Sequence, residues 1–343
     1  TLFPYTTLFR SMESGKLTPE ELRQAVFAKV RFARPETLLT AAIGEDSAVL
    51  DLADDLCVVS TDPITGAASG AGRLAVIVSC NDVATSGAEP VGLLLTILAP
   101  VGVSLEEIAA VMESAGEAAA ELGVQIIGGH TEVTDAVNRM VLSATVIGRV
   151  KRGSLLSVGA TTAGTQLVMV RTAGLEGTAI IAADHSDALS GFMDEEMIAH
   201  AAALADEISV VDACRVAAAN GAQSMHDVTE GGVLGAAYEM AQAAGLTLQL
   251  DEAIPVHPLT QAVCRGLGLD PFRLISSGTL LVATLEPDRL LAALASAGYR
   301  SYHIGGFHSG PPQVWLGERL LAAPQSDELW RVKQHLAGKR HEP

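Results

Sequence analysis

The sequence predicts a two-domain chain of the α/β or α+β class with two sheets, and three observations carry that expectation. Short apolar, β-prone runs alternate with capped helical segments along both halves. The apolar pattern breaks around Lys151-Arg-Gly-Ser154. The length of 343 residues exceeds what one core usually spans. The expected division is residues 12–150, then 151–320, then a tail at 321–343. Hydrophobic residues make up 49% and aromatics only 4%, so the cores are expected to be built from Ala, Val, Leu and Ile. Residues 1–11 hold Phe3, Tyr5 and Phe9, carry no acid and lead into Met12; they read as a non-native leader.

Taken in order, residues 18–30 open Thr-Pro-Glu-Glu, with Thr18 as N-cap and Pro19 at the first helical position. Two β-prone runs follow, 47–51 and 56–60, joined by Ala53-Asp54-Asp55. Residues 73–80 are apolar enough for a buried strand or a buried helix, and periodicity does not separate the two. Residues 91–98 read as a central strand. Ser104 and Glu107 form a capping box for a helix over 104–122, closed by Gly123. Residues 124–127 read as a short buried strand and 140–150 as a longer one. In the second half, strands are expected at 166–170, 279–285, 299–307 and 313–316. Helices are expected at 194–205, 210–219 and 286–297, and a strand–loop–helix unit starts near Ser224.

The formal charge of −18 excludes a nucleic-acid or anionic-membrane surface as the natural partner. The longest apolar stretch, 91–103, is interrupted by Gly92, Pro100 and Gly102 and falls short of a span. Cys57, Cys80, Cys214 and Cys264 form no C-x-x-C pair and read as reduced core residues of a cytoplasmic protein.

Three features carry possible chemistry. Asp46, Asp62 and Asp82 stand beside apolar runs read as strands, and three converging carboxylates would need a cation such as Mg²⁺ between them. Each Asp can equally cap a turn or helix. Gly128-Gly129-His130-Thr131-Glu132 follows the 124–127 run: the glycines permit close backbone approach, and Thr131 and Glu132 offer a hydroxyl and a carboxylate. His130 is a candidate acid/base group, metal ligand or turn residue. His226-Asp227-Val228-Thr229-Glu230-Gly231-Gly232 precedes a helix, and a glycine-rich helix start is an anion site; Asp227 or Thr229 can cap that helix, and a cap and a phosphate site can coexist. It is not a Walker A loop, and neither a GxGxxG fingerprint nor a G-x-S-x-G elbow is present.

These motifs, in this order, resemble the aminoimidazole ribonucleotide synthetase (PurM-like) superfamily, which includes thiamine-monophosphate kinase, selenophosphate synthetase and the hydrogenase-maturation HypE group. The resemblance rests on Gly44-Glu-Asp-Ser-Ala-Val-Leu50, Ser60-Thr-Asp62, Asn81-Asp-Val-Ala-Thr-Ser-Gly-Ala-Glu-Pro90, Ile127-Gly-Gly-His-Thr-Glu132, Asp227-Val-Thr-Glu-Gly-Gly232, Ile254-Pro255, Asp270-Pro271 and Ser277-Gly278. It implies an N-terminal ATP-binding domain whose sheet pairs with a second copy in a dimer barrel, and a C-terminal domain with a mixed sheet and helices.

The resemblance further implies ATP and Mg²⁺ in a cleft between domains. Asp46, Asp62 and Asp82 would act as metal ligands. Asn81, Gly128, Gly129, Thr131, Glu132, Thr229, Gly231 and Gly232 would contact the nucleotide, with Asp227 and His130 as catalytic groups. The shared chemistry is activation of an oxygen of a small-molecule or protein-bound acceptor by phosphoryl transfer. Spacing is similar to the HypE group, whose terminal cysteine carries the dehydrated group. The sequence given closes on Lys339-Arg340-His341-Glu342-Pro343. The kinase pattern has Asp where His130 stands, and the reactive loop of selenophosphate synthetase has no counterpart before Asp46. A hydrogenase maturation factor acting on a partner protein and a non-catalytic nucleotide-binding scaffold remain the alternatives.

Overall fold

Strand and helix propensities sort this chain into two sheets, each with its own helices. The computed structural model describes residues 37–39, 43–45, 47–51, 54–64, 70–322 and 326–332. The leader, the helix expected at 18–30 and Asp46 lie outside the described residues.

The first sheet holds β1 (Thr37–Leu39), β2 (Ala48–Asp51), β3 (Asp55–Ile64), β4 (Glu89–Pro100), β5 (Gln125–Thr134) and β6 (Val141–Lys151). Their order is β1-β2-β3-β6-β4-β5, antiparallel except for the β4–β5 pair. Burial alternates along β3 and β6, as a strand with one covered face requires. Leu56, Val58, Leu93, Ile97, Leu142 and Val146 point into the core under α1 (Ala71–Thr85) and α2 (Leu105–Glu121). Cys57, Val59, Leu94, Leu98 and Ile147 alternate onto the other face, which is not covered to the same degree.

Residues 73–80 resolve as helix: α1 is buried along nearly its whole length, which is why no amphipathic period marked it. α2 carries its capping box as expected: Glu107 N–H donates to Ser104 Oγ at 3.2 Å, and Ser104 N–H donates to Glu107 at 2.8 Å. The 124–127 run differs from expectation. It opens a ten-residue strand, β5, that is largely exposed because it forms the sheet edge.

The second sheet comprises β7 (Gln166–Val170), β8 (Ala222–Asp227), β9 (Thr247–Leu250), β10 (Leu280–Thr284), β11 (Ser301–His308), β12 (Val314–Leu316) and β13 (Arg319–Leu320). Their order is β13-β12-β9-β11-β7-β10-β8. Helices here are α3 (Leu175–Asp184), α4 (Glu195–Ala202), α5 (Val211–Ala219), α6 (Gly232–Ala244), α7 (Pro258–Leu267) and α8 (Pro287–Ser296). β7 is apolar at every inner position because it faces two cores. Leu167 and Met169 pack with α6, while Val168 and Val170 pack with α5 and α8. α1 also reaches across, and its Ala84 joins the second of these cores.

Candidate functional site

Between the halves lies a cleft with walls from six separate stretches of chain. β3 supplies Asp62, Pro63 and Ile64, and α1 supplies Leu74 and Val78. α3 contributes Glu176 and Ile180, and the loop between β8 and α6 contributes Thr229 and Glu230. Ile275 and Ser277 precede β10, while Asp327, Leu329 and Trp330 arrive from the end of the described chain. The walls are apolar, with oxygen donors and acceptors at few points, which is the usual makeup of a small-ligand site.

Each polar group is there for a local reason. Asp62 lies two residues beyond Ser60, on the helix-facing side of β3, and is half-buried. Ser60 Oγ donates to Asp82 on α1 at 2.7 Å, which ties Asp82 to β3 two residues before Asp62. Asp82 is 5% exposed and sits on a helix, not at the end of a strand as expected. Glu176 stands in the first turn of α3 and accepts the Ser277 amide at 3.2 Å. The His226 ring fixes the root of the Asp227 loop: Nδ1 donates to the Asp227 carbonyl at 2.7 Å, and Nε2 lies 3.1 Å from Glu239. Asp227 itself is fully buried at the end of β8, behind the wall that Thr229 forms.

The glycine-rich start of α6 behaves as an anion site. Gly231 is the N-cap residue, with no cap from Asp227 or Thr229. Its amide donates to the carboxylate of Asp327 at 2.7 Å, from 96 residues away. Burial pushes Asp327 up to about 6. The amides of Leu329, Gly231 and Ile275 pull against that shift, and the charge of Glu230 adds to it. Trp330 Nε1 donates to Glu230 at 3.0 Å, so this C-terminal stretch straps the loop from outside. Gly232 is glycine for packing: at φ 63° a Cβ would meet the Phe272 carbonyl oxygen at 2.5 Å.

Other expected site residues do not join the cleft. Asn81 is fully buried, donating to the Ile208 carbonyl at 2.9 Å and accepting from the Val210 amide at 2.9 Å. Its side-chain amide therefore braces α1 against the second half. Gly128, Gly129, His130, Thr131 and Glu132 run along edge strand β5. His130 pairs in register with Thr96, and Thr96 with Ser143, on the face turned away from α1. Asp62 pairs with Ala144 on the opposite face. Within one chain, His130 and Glu132 thus stand across the sheet from Asp62 and Asp82. His130 keeps an exposed partner, Glu132, at 3.4 Å. The paired glycines are also explained locally, since a Cβ at Gly129 would meet the Leu95 oxygen at 1.9 Å.

The donor chemistry fits Mg²⁺, a cation that takes hard oxygen ligands and is commonly held by one or two carboxylates with ligand phosphates. Asp62 lines the cleft, and Asp82 is buried on α1 with its carboxylate accepting from Ser60. Among the described residues no group of three or more His, Cys, Asp or Glu side chains is preassembled for a metal. Burial raises all four thiols, Cys57, Cys80, Cys214 and Cys264, and pushes Cys80 and Cys264 up to about 12.

Residues 44–150 match the N-terminal domain of the AIR synthase related proteins, and residues 162–312 match their C-terminal domain. The chain belongs to this family. Among its relatives, carbamoyl dehydratase HypE of Escherichia coli is 30% identical over 298 residues, covering 82% of this chain and 84% of that protein. The hydrogenase expression/formation protein of Methanocaldococcus jannaschii is 28% identical over 338 residues, covering 93% of this chain and 97% of that one. A crystal structure of hydrogenase maturation protein HypE in complex with ATP superposes with a TM-score of 0.69 at 25% identity, over 92% of this chain and 97% of that chain.

In this AIR synthase related chain, four cleft residues escaped the sequence reading as site residues: Glu176, Glu230, Ser277 and Asp327. Ser277 belonged to a noted motif without a role. Ser326-Asp-Glu-Leu329 carries the pattern of a helix start, a signal that marks order in a stretch assigned to the tail.

Proposed function

We propose that this chain is a Mg–ATP-dependent enzyme that activates a carboxamide oxygen of a protein-bound acceptor by phosphoryl transfer, as a hydrogenase maturation factor. The cleft between the halves carries this reading. It gathers Asp62, Thr229, Glu176 and Ser277 from distant stretches in a family whose Escherichia coli member is named a carbamoyl dehydratase. The relative crystallised with ATP supports the nucleotide.

When bound, Mg–ATP would supply the phosphoryl group that makes a carboxamide oxygen leave as phosphate. The chain's own part is positioning and charge. Asp62 and Asp82 hold the cation, with Ser60 fixing the orientation of Asp82. Thr229 offers its hydroxyl to a phosphate oxygen. Ile64, Leu74, Val78 and Ile180 exclude water from the reacting end. His130 has no part in this cleft within one chain. A homodimer is part of the proposal because, among the described residues, Leu94 is exposed and Ile147 half-buried on the face of the first sheet turned away from α1. Cytoplasmic location fits four cysteines that are all free.

The direct test is incubation with Mg–ATP and a peptide carrying a carbamoylated cysteine. Phosphate release with loss of one water from the peptide is the expected result. A stable phosphorylated small molecule, such as one formed from thiamine monophosphate, would move the acceptor to the small-molecule class. Absence of ATP consumption with any acceptor would leave a nucleotide-binding scaffold.

A further inference from the structure

We infer that Ser277 is a ligand-binding residue of the cleft, its hydroxyl donating to a phosphoryl oxygen. The inference rests on the nucleotide reading above and names a contact that reading did not require.

Two adjacent serines make the case by contrast. Ser276 is buried and fully used: its Oγ accepts the Gly174 amide at 2.7 Å and the Leu175 amide at 3.2 Å, and lies 2.7 Å from Thr279 Oγ1. It thereby caps α3. Ser277 is 1% exposed, yet among the described residues its Oγ has no hydrogen-bond partner. Buried hydroxyls are nearly always paired, and leaving one unpaired is destabilising. The cost is not relieved by a small rotation of the backbone, because Ser277 is clamped on both sides. Its own amide donates to Glu176 at 3.2 Å, and the next carbonyl, that of Gly278, accepts from Arg171 at 2.8 Å. Thr279 N–H then turns back to the Ser276 carbonyl at 2.9 Å.

The hydroxyl lines the same cleft as Asp62, Thr229 and Glu230. Glu176 accepts the Ser277 amide, yet the Ser277 hydroxyl bonds no carboxylate among the described residues. A rigid, dry donor held open beside an acidic corner suits the oxygen of a bound phosphate whose charge a cation has neutralised. Thr229 on the facing loop would take a second oxygen of the same group. Glu176 holds the Ser277 amide, so the two loops that meet the phosphate are set by α3.

The test is Ser277→Ala, with Ser277→Cys as a variant that keeps volume but donates weakly. Calorimetric titration with Mg–ATP and with Mg–ADP is paired with thermal unfolding. The inference expects Mg–ATP affinity to fall by roughly 10–100-fold in Ser277→Ala, the loss of a hydrogen bond to a charged group. The unfolding midpoint should hold or rise, because an unpaired buried hydroxyl has been removed. Loss confined to ATP places the contact on the terminal phosphate; equal loss for ADP places it on the inner ones. Wild-type affinity retained in Ser277→Ala would overturn the inference alone and assign the hydroxyl to an ordered water. Failure of the wild-type protein to bind Mg–ATP would overturn the nucleotide reading of the cleft and this contact with it.

Discussion

Asp327 places a carboxylate where the Gly231-Gly232 start of α6 was expected to take an anion, and the consequence is measurable. Its ordinary value of 3.8 rises to about 6 on folding, chiefly through burial. Between those values the folded chain binds more protons than the unfolded one. Stability from this group is therefore full below 3.8 and is lost as pH rises toward 6. Asp327→Asn removes the titration and leaves one acceptor oxygen for the amides of Gly231 and Leu329, a loss that does not depend on pH. The variant should gain stability over wild type as pH rises through that window, by up to about 3 kcal/mol. Denaturant unfolding at acidic and neutral pH reads this directly, and a pH-independent difference would contradict it. The anion preference of the glycine-rich helix start was legible at this scale. The identity of the anion was not, because Asp327 reaches Gly231 across 96 positions and no local pattern links them. Asp62 was legible for its residue type and strand setting, whereas Glu176 and Glu230 looked like ordinary helix-start and loop acids.

At the scale of elements, the Ser104 capping box and the β7 run were legible because both rest on local chemistry. α1 was ambiguous because a helix buried on all sides shows no period. That ambiguity displaced Asp82 from a strand end to a helix. The structure makes Asn81 a brace between α1 and the 208–210 stretch. Asn81→Ala should cost roughly 2–4 kcal/mol in chemical denaturation, since two buried main-chain groups lose their partner. Under conditions where the variant is folded, its nucleotide affinity should match wild type. A lost affinity with unchanged stability would restore the ligand role. β5 teaches the same lesson from the other side: glycine pairs suggest a ligand cradle, yet Gly129 is needed where the strand backbone runs against Leu95.

For the whole molecule, two sheets with separate cores followed from alternating strand and helix signals. Which side of the first sheet each residue faces did not, because β3 and β6 pair across more than eighty positions and their register fixes the faces. That register sets His130 opposite Asp62. It also leaves Leu94, 40% exposed, on an open face. The proposed homodimer buries this face, so Leu94→Glu should sediment as a monomer with an unchanged circular dichroism spectrum. A wild-type chain that is monomeric at micromolar concentration would contradict it.

The central claim is that the cleft between the halves binds Mg–ATP through its acidic corner. The measurement that tests it most directly is calorimetric titration of the wild-type and Asp62→Asn proteins with ATP, with and without Mg²⁺. Binding is expected to require Mg²⁺ in the wild type and to be lost in the variant, with the unfolding midpoint unchanged. Equal affinity in the two proteins, or binding indifferent to Mg²⁺, would contradict it.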